Sequence, residues 1–433
     1  AVAASVLGAL HGFASPAVAQ SGQPGEALAG STQLAEVVVS GSRITREGFE
    51  APTPVSTIGA DQIAERGPVT IGEVLNQIPS FRASSTPNTS GVLSRHGGQV
   101  TADLRGLGSS RTLVLMNNRR FVPSTASGNV DLRNIPTLLI EKAEVVTGGA
   151  PAAWGSDAVS GVVNFVLKDN IDGVHSTLQG GISERGDSEE LRFSIASGTS
   201  FGRGRGSVVA GLDYMDYRGI DPQNERSWGR QEVGIITNGS FASNGLPNFI
   251  ISPQVRSSNM TPGGLIVSGP LRGTAFGPGG TPYQFNFGQV FGASMIGGEF
   301  AGPNPTLAAN LGTPVSAVAA LAAVNYDFSD RVSGFFELSA SRAESGGASQ
   351  ETRDPGNLTI RQDNAYLPAS VRQQMIDLGL QTFTMGRINY DVGKIKRDGE
   401  TEVMRLPAGL NGALAGGCRW HAYAQNGHNE VAL

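Results

Sequence analysis

The chain has 433 residues, enough for two or more domains, and a formal net charge of -5, which excludes a generally basic nucleic-acid binder. Charged residues make up 16%, below the ~25% of ordinary soluble domains, while 60 glycines and 23 prolines favour many strands joined by turns over a helical bundle. A single cysteine, Cys418, leaves no internal disulfide, and no apolar run is long enough for a membrane-spanning helix, so membrane residence would require a closed barrel of strands.

In chain order, residues 1–19 read as the remnant of a signal peptide: Val6 to Phe13 is mostly apolar, and Ala17-Val18-Ala19 fits a small-residue cleavage site. Residues 20–46 form a flexible leader rich in Gly, Ser, Ala and Gln. Within it, Glu36, Val37, Val38, Val39 and Ser40 expose β-prone backbone with nothing yet to pair with. Such a segment suits strand addition to the sheet edge of another protein. It is equally suited to begin the next domain as its first strand.

Residues 47–170 read as a compact α+β unit. Asp61 to Glu65 is a short helix ending at Gly67-Pro68. Thr70 and Glu73 form a capping box for a second helix, whose Ile71, Val74, Leu75 and Ile78 share one face before Pro79 ends it. Thr112 to Met116 is a strand, and Asn117-Asn118 is a tight hairpin turn because paired Asn tolerates positive φ. Asn134 is expected to N-cap a short helix with Ile135 and Pro136 in its first turn. Ala143 to Val146 is a strand ending at Gly148-Gly149, Gly155 breaks the chain, and Val162 to Leu167 is a buried strand.

From residue 171 to 433 the period changes to two. Leu191, Phe193 and Ile195 alternate with Arg192, Ser194 and Ala196. Phe335, Glu337, Ser339 and Ser341 share one side of their strand, with Phe336 and Leu338 opposite. Alternation gives about seven strands, ending near Tyr423. Such strands fit a lipid-out, water-in barrel or a one-sided sheet of a soluble sandwich. Two long stretches, about 218–314 and 344–400, interrupt the strands, the second with a helix over Pro368 to Leu378.

Chemistry-bearing patterns are few. Gly198-Thr199-Ser200-Phe201-Gly202 matches G-x-S-x-G but lacks the strand-turn-helix context of a nucleophile elbow. The five histidines have no metal-ligand spacing, and no phosphate-binding loop occurs. No enzyme, cofactor or metal site is predicted. Arg105, Arg111, Arg119 and Arg120 cluster around the hairpin, either as buried partners of carboxylates on a surrounding wall or as plain surface charge.

Several of these pieces together resemble the plug domain of TonB-dependent outer-membrane receptors. They are Leu104-Arg105-Gly106-Leu107-Gly108, Arg111 to Leu115, Ile135-Pro136, Glu144 to Val146, Gly155-Ser156-Asp157-Ala158 and Gly161-Val162-Val163-Asn164. The family usually has Asn-Gly where this chain has Asn117-Asn118, and Tyr where it has Trp154.

The resemblance implies a fold of an α+β plug domain followed by antiparallel transmembrane β-barrel strands. It marks Arg105, Gly106, Gly108, Arg111, Asn117, Asn118, Arg119, Gly155, Ser156, Asp157, Gly161 and Asn164 as plug-motif residues. Glu36 to Ser40 then resembles the TonB box that pairs with an inner-membrane energiser. The implied protein sits in the outer membrane of a Gram-negative bacterium, with plug and leader facing the periplasm and the long stretches facing outward. It takes up a scarce solute such as a ferric siderophore, cobalamin or an oligosaccharide. The family's barrel has ~22 strands, so the barrel is expected to be incomplete here and the chain to be a fragment or a truncated product. The alternative is a secreted all-β binding or adhesion protein with an α+β head.

Overall fold

A computed structural model describes residues 55–432, except 68–69, 92–96, 149–150, 232, 300–303, 305–307 and 415–417. The expected signal remnant, the leader and its Glu36–Ser40 segment lie outside the described residues. No helix among the described residues is long and apolar enough to cross a membrane.

The first unit is built on a five-stranded sheet. In chain order its strands are β1 (Val55–Gly59), β2 (Thr112–Met116), β3 (Arg119–Arg120), β4 (Ile140–Val146) and β5 (Gly161–Leu167), arranged β1-β4-β5-β2-β3. β2 and β5 run parallel; the other pairs are antiparallel. β2 and β5 occupy inner positions, and every residue of β2 is buried. A continuous apolar run suits a strand covered on both faces.

Two short helices, α1 (Ala60–Glu65) and α2 (Ile71–Asn76), pack on this sheet. Ile63 from α1 and Ile71, Val74 and Leu75 from α2 enter the core with Val114, Val145, Val163 and Phe165. Asn117 and Asn118 turn the β2–β3 hairpin with φ of 50° and 59°, both in the left-handed region, between the paired Met116 and Arg119. That is the geometry a two-residue hairpin turn requires.

Two local expectations are corrected. The N-cap of the turn Leu132–Asn134 is Asp131, whose side chain accepts from Arg133 N; Asn134 ends that turn. Asp131 also holds the Arg133 guanidinium, so one carboxylate serves cap and ion pair together. The threonine half of the expected capping box on α2 is not made: Thr70 is the N-cap residue, but its side chain makes no cap hydrogen bond.

The second sheet has the seven strands that alternation predicts. It runs Arg419–Ala432, Lys394–Ala413, Val332–Glu351, Val315–Ser329, then β8 (Gly206–Tyr217), β7 (Glu190–Phe201) and β6 (Gly173–Gly181). Every neighbouring pair is antiparallel, and among the described residues the sheet is open rather than closed into a barrel. Its two faces differ. Leu191, Phe193, Ile195, Phe336, Leu338, Met404 and Leu406 are exposed on one face. Arg192, Ser194, Ala196, Glu337, Ser339 and Arg405 are buried on the other, which covers the first unit. We call this sheet the wall.

The two long stretches are themselves folded. Leu265–Ile266 of the first pairs with Thr382–Ile388 of the second, inside a five-stranded sheet that also holds Thr274–Phe276, Pro282–Gln284 and Arg353–Arg361. The helix Ala369–Asp377 seats Val371 and Met375 against Ile266, Leu271, Phe276, Leu367 and Phe383.

Candidate plug–wall interface

The hairpin turn carries the first unit onto the wall. Glu337, buried on the wall strand Val332–Glu351, accepts from Asn117 Nδ2 at 2.9 Å and from Arg119 Nη2 with one oxygen. Its other oxygen accepts from Arg405 Nη1 at 2.7 Å. Arg405 is fully buried, and its Nε also donates to the Arg120 carbonyl at 3.4 Å. The Arg119 guanidinium lies over the Phe335 ring, 3.9 Å from the centroid, and Arg405 lies 5.7 Å from that of Phe121.

Two buried cations therefore share one carboxylate, with aromatic faces taking part of the remaining charge. Burial pulls the Arg119 guanidinium below its ordinary value; the charge of Glu337 raises it and that of Arg405 lowers it. Guanidinium groups stay protonated through such shifts, so the site keeps its net positive charge.

A second contact lies along β7 and β8. Asp213 Oδ2 accepts from Thr137 N at 2.9 Å, Thr137 Oγ1 at 3.2 Å and Arg192 Nη2 at 2.8 Å. A third contact grips the first unit's turn Thr86–Ser90. Thr313 N donates to the Pro87 carbonyl at 2.7 Å, Thr313 Oγ1 to the Ser90 carbonyl at 2.9 Å, and the Tyr217 hydroxyl to Asn88 Oδ1 at 2.7 Å. At the far edge, Gln425 and Asn429 donate to the carbonyls of Arg120 and Pro123.

Apart from Gly161, the plug-motif residues singled out from sequence fall into three groups. Asn117, Asn118, Arg119 and Asn164 meet around the hairpin: Asn117 Oδ1 accepts from Leu167 N, and Asn164 Oδ1 accepts from Asn118 N, both at 2.9 Å. The Arg120 guanidinium is held inside the first unit, forking onto Asp157 and the Trp154 carbonyl, and it is the Arg120 carbonyl that meets the wall. The hydrogen bond from Arg120 holds the Asp157 carboxyl below the usual carboxylate range. Gly155, at φ 97°, and the exposed Ser156 lead into the short turn that presents Asp157.

Arg105, Gly106, Gly108 and Arg111 lie on a largely exposed segment that hydrogen-bonds within the first unit. Gly108 N donates to Asp103, and Arg111 Nη1 to the Leu107 carbonyl. Of the four clustered arginines, Arg119 alone has a hydrogen bond to a wall carboxylate among the described residues. Gly161 is required by space: at φ 137°, a Cβ there would meet the Val146 carbonyl at 2.2 Å.

Sequence reasoning placed Glu337 on the polar side of its strand but did not name it or Arg405 as partners. The signal was available in the alternation: Arg405 stands between Met404 and Leu406, which places it on the inner face.

Residues 47–162 match the model of the TonB-dependent Receptor Plug Domain. That region is therefore similar to the plug of TonB-dependent receptors, and antiparallel strands follow it. The vitamin B12 transporter BtuB of Vibrio cholerae is 28% identical over 181 residues, covering 41% of this chain and 27% of that protein. The same transporter of Vibrio vulnificus is 24% identical over 211 residues, covering 48% of this chain and 33% of that one. The chain thus spans about a third or less of the curated relatives it matches. A solved ferric enterobactin receptor, PfeA of Pseudomonas aeruginosa, superposes with a TM-score of 0.48 at 17% identity, covering 88% of this chain and 41% of the other.

Proposed function

We propose that this chain provides the plug and adjoining wall of an outer-membrane receptor for energy-coupled uptake of a scarce solute. Ferric siderophores, cobalamin and oligosaccharides are the candidate solutes. The observation that carries this reading is the docking itself. A plug turn is bound through a buried carboxylate and two guanidiniums to the polar face of a sheet whose other face is apolar. That division suits strands with lipid on one side and a plugged interior on the other.

The limits of the apolar face support it. At one end Arg342 pairs with Glu344 at 3.0 Å and Glu400 at 2.8 Å. At the other end Phe201, Tyr326 and Phe328 form a ring cluster, with centroids 5.8 and 5.2 Å apart. Val318 is the register partner of Arg342, and Tyr326 lies eight residues further along the same strand. At ~3.3 Å per residue the interval is roughly 26 Å along the strand, close to the ~25 Å apolar band of outer-membrane barrels before tilt is allowed for.

In this reading the plug and leader face the periplasm, the folded outer stretches 218–314 and 344–400 receive solute, and Glu36–Ser40 recruits a TonB-type energiser. Coupling is then a free energy shared between two sites: solute outside shifts the availability of the segment inside. Uptake of each candidate solute by the full-length receptor, with and without the energiser, tests the proposal. Energiser-dependent uptake and recovery in the Sarkosyl-resistant membrane fraction are expected. A product soluble without detergent would instead favour a secreted binding protein.

A further inference from the structure

The sequence assigns Thr70 to cap α2, but its hydroxyl makes no cap bond and is buried without a hydrogen-bond partner. Thr70 lines a cavity of about 10 Å³ in the seam between plug and wall. Arg192 and Asp213 of the wall and Thr137 of the plug line the same cavity. Asp213 uses Oδ2 for all three of its donors, while Oδ1 is buried and has no partner. Ser194, the register partner of Asp213 on β7, also has a buried hydroxyl without a partner.

We propose that this cavity binds a single water molecule, which joins Thr70 Oγ1 of the plug to Asp213 Oδ1 of the wall. Three observations select that occupant. The volume matches the ~10–15 Å³ that one water needs. Thr70 Oγ1, a hydroxyl that can donate or accept, and the acceptor Asp213 Oδ1 belong to two residues that line the cavity and give it the two polar partners a buried water needs at least. A metal ion is disfavoured because Arg192 already neutralises the only carboxylate among the described lining residues, and hard cations take six or more oxygens.

The diverted cap then has a physical meaning. A side chain that could complete a helix end is turned toward the wall and reaches it through solvent. The plug consequently meets the wall in two ways: by a direct ionic contact at Glu337 and by a water-bridged contact at Asp213. When α2 moves, the bridging water exchanges for bulk water, and Asp213 keeps its Arg192 partner on the wall.

A crystal structure of the full-length receptor, at a resolution that reveals its other buried waters, tests the site. One density peak within hydrogen-bonding distance of Thr70 Oγ1 and Asp213 Oδ1 is expected. Thr70→Ser should keep the peak. Thr70→Val should lose it and speed amide exchange several-fold over Ile71–Asn76, leaving Thr112–Met116 unchanged. An empty cavity in the natural protein, a Thr70 hydroxyl turned onto Glu73 N, or an unaltered peak in Thr70→Val would each overturn the proposal. If Thr70→Val does not fold, the natural protein and Thr70→Ser still decide it.

Discussion

Glu337 and Arg405 stand on adjacent wall strands, 68 residues apart in sequence, and meet at 2.7 Å beneath the plug hairpin. Arg119, 218 residues before Glu337, meets the same carboxylate from the plug side. The charge count makes the three members unequal. Glu337→Gln leaves two buried guanidiniums without a counter-charge, a loss of about 3–5 kcal/mol for a broken buried pair. Arg119→Met leaves the Glu337–Arg405 pair intact and should cost less. Urea titration of the full-length receptor, followed by Trp154 fluorescence with every other tryptophan of that receptor replaced by Phe, ranks the variants. A larger loss for Arg119→Met would reverse the argument.

Asp157 gives a pH dependence with a definite sign. Its folded-state pKa is depressed, chiefly by the hydrogen bond from Arg120. A depressed carboxyl contributes stability that is present above its unfolded value, ~3.9, and lost as pH falls through its folded value. Arg120→Met removes the cause, so the variant should be less stable than the natural protein near neutral pH, and the difference should narrow in strong acid to what the Arg120 bond to the Trp154 carbonyl leaves. Both side chains are partly exposed, and the difference should shrink with salt. A difference independent of pH would show that Arg120 acts by packing alone.

Gly161→Ala should prevent normal assembly of the plug. The added methyl would meet the Val146 carbonyl at 2.2 Å and Leu104 Cδ1 at 2.9 Å, on a backbone at φ 137° that L-residues rarely adopt. The expected outcome is a protease-sensitive plug, read by cleavage within residues 112–167. Natural resistance would mean that β4 and β5 can separate more easily than their register suggests.

Val38→Pro tests the proposed energiser segment. Proline lacks the N–H that an added strand donates. In the full-length receptor, solute binding at the cell surface should persist while uptake is lost. Uptake at the natural rate would remove Glu36–Ser40 from the mechanism.

Cys418→Ser should be silent. Cys418 is exposed and unpaired, and surface substitutions usually stay within ~0.5 kcal/mol. The variant should reach the natural level of folded receptor in the membrane fraction; a clear deficit would assign the thiol a role.

Local chemistry explains what could be read from sequence. The Asn117-Asn118 turn was legible because its cause, tolerance of positive φ, is carried by those two residues. The wall's two faces were legible because strand alternation has a fixed period. Alternation gives a side chain its face but not its partner, so Glu337 could be placed inward without Arg119 or Arg405 being assigned to it. Thr70 and Asn134 misled for a related reason. Each satisfies a local capping rule, and at both sites the structure departs from it: Thr70 leaves its hydroxyl off the cap and lines the seam with the wall, and Asp131 takes the cap while holding Arg133. The two long stretches hid their strands because many are two to five residues long and part of their pairing crosses from one stretch to the other.

The pairing of Leu265 with Gly386 and of Ile266 with Met385 also determines what evolution or an engineer can exchange. Grafting either long stretch alone onto a relative would carry across part of a sheet and part of an apolar core, with Val371 and Met375 separated from Ile266 and Phe276. The transplantable unit is the pair of segments, about 255–299 together with 353–388. Recombination breakpoints in natural relatives should therefore fall outside both segments or exchange both at once.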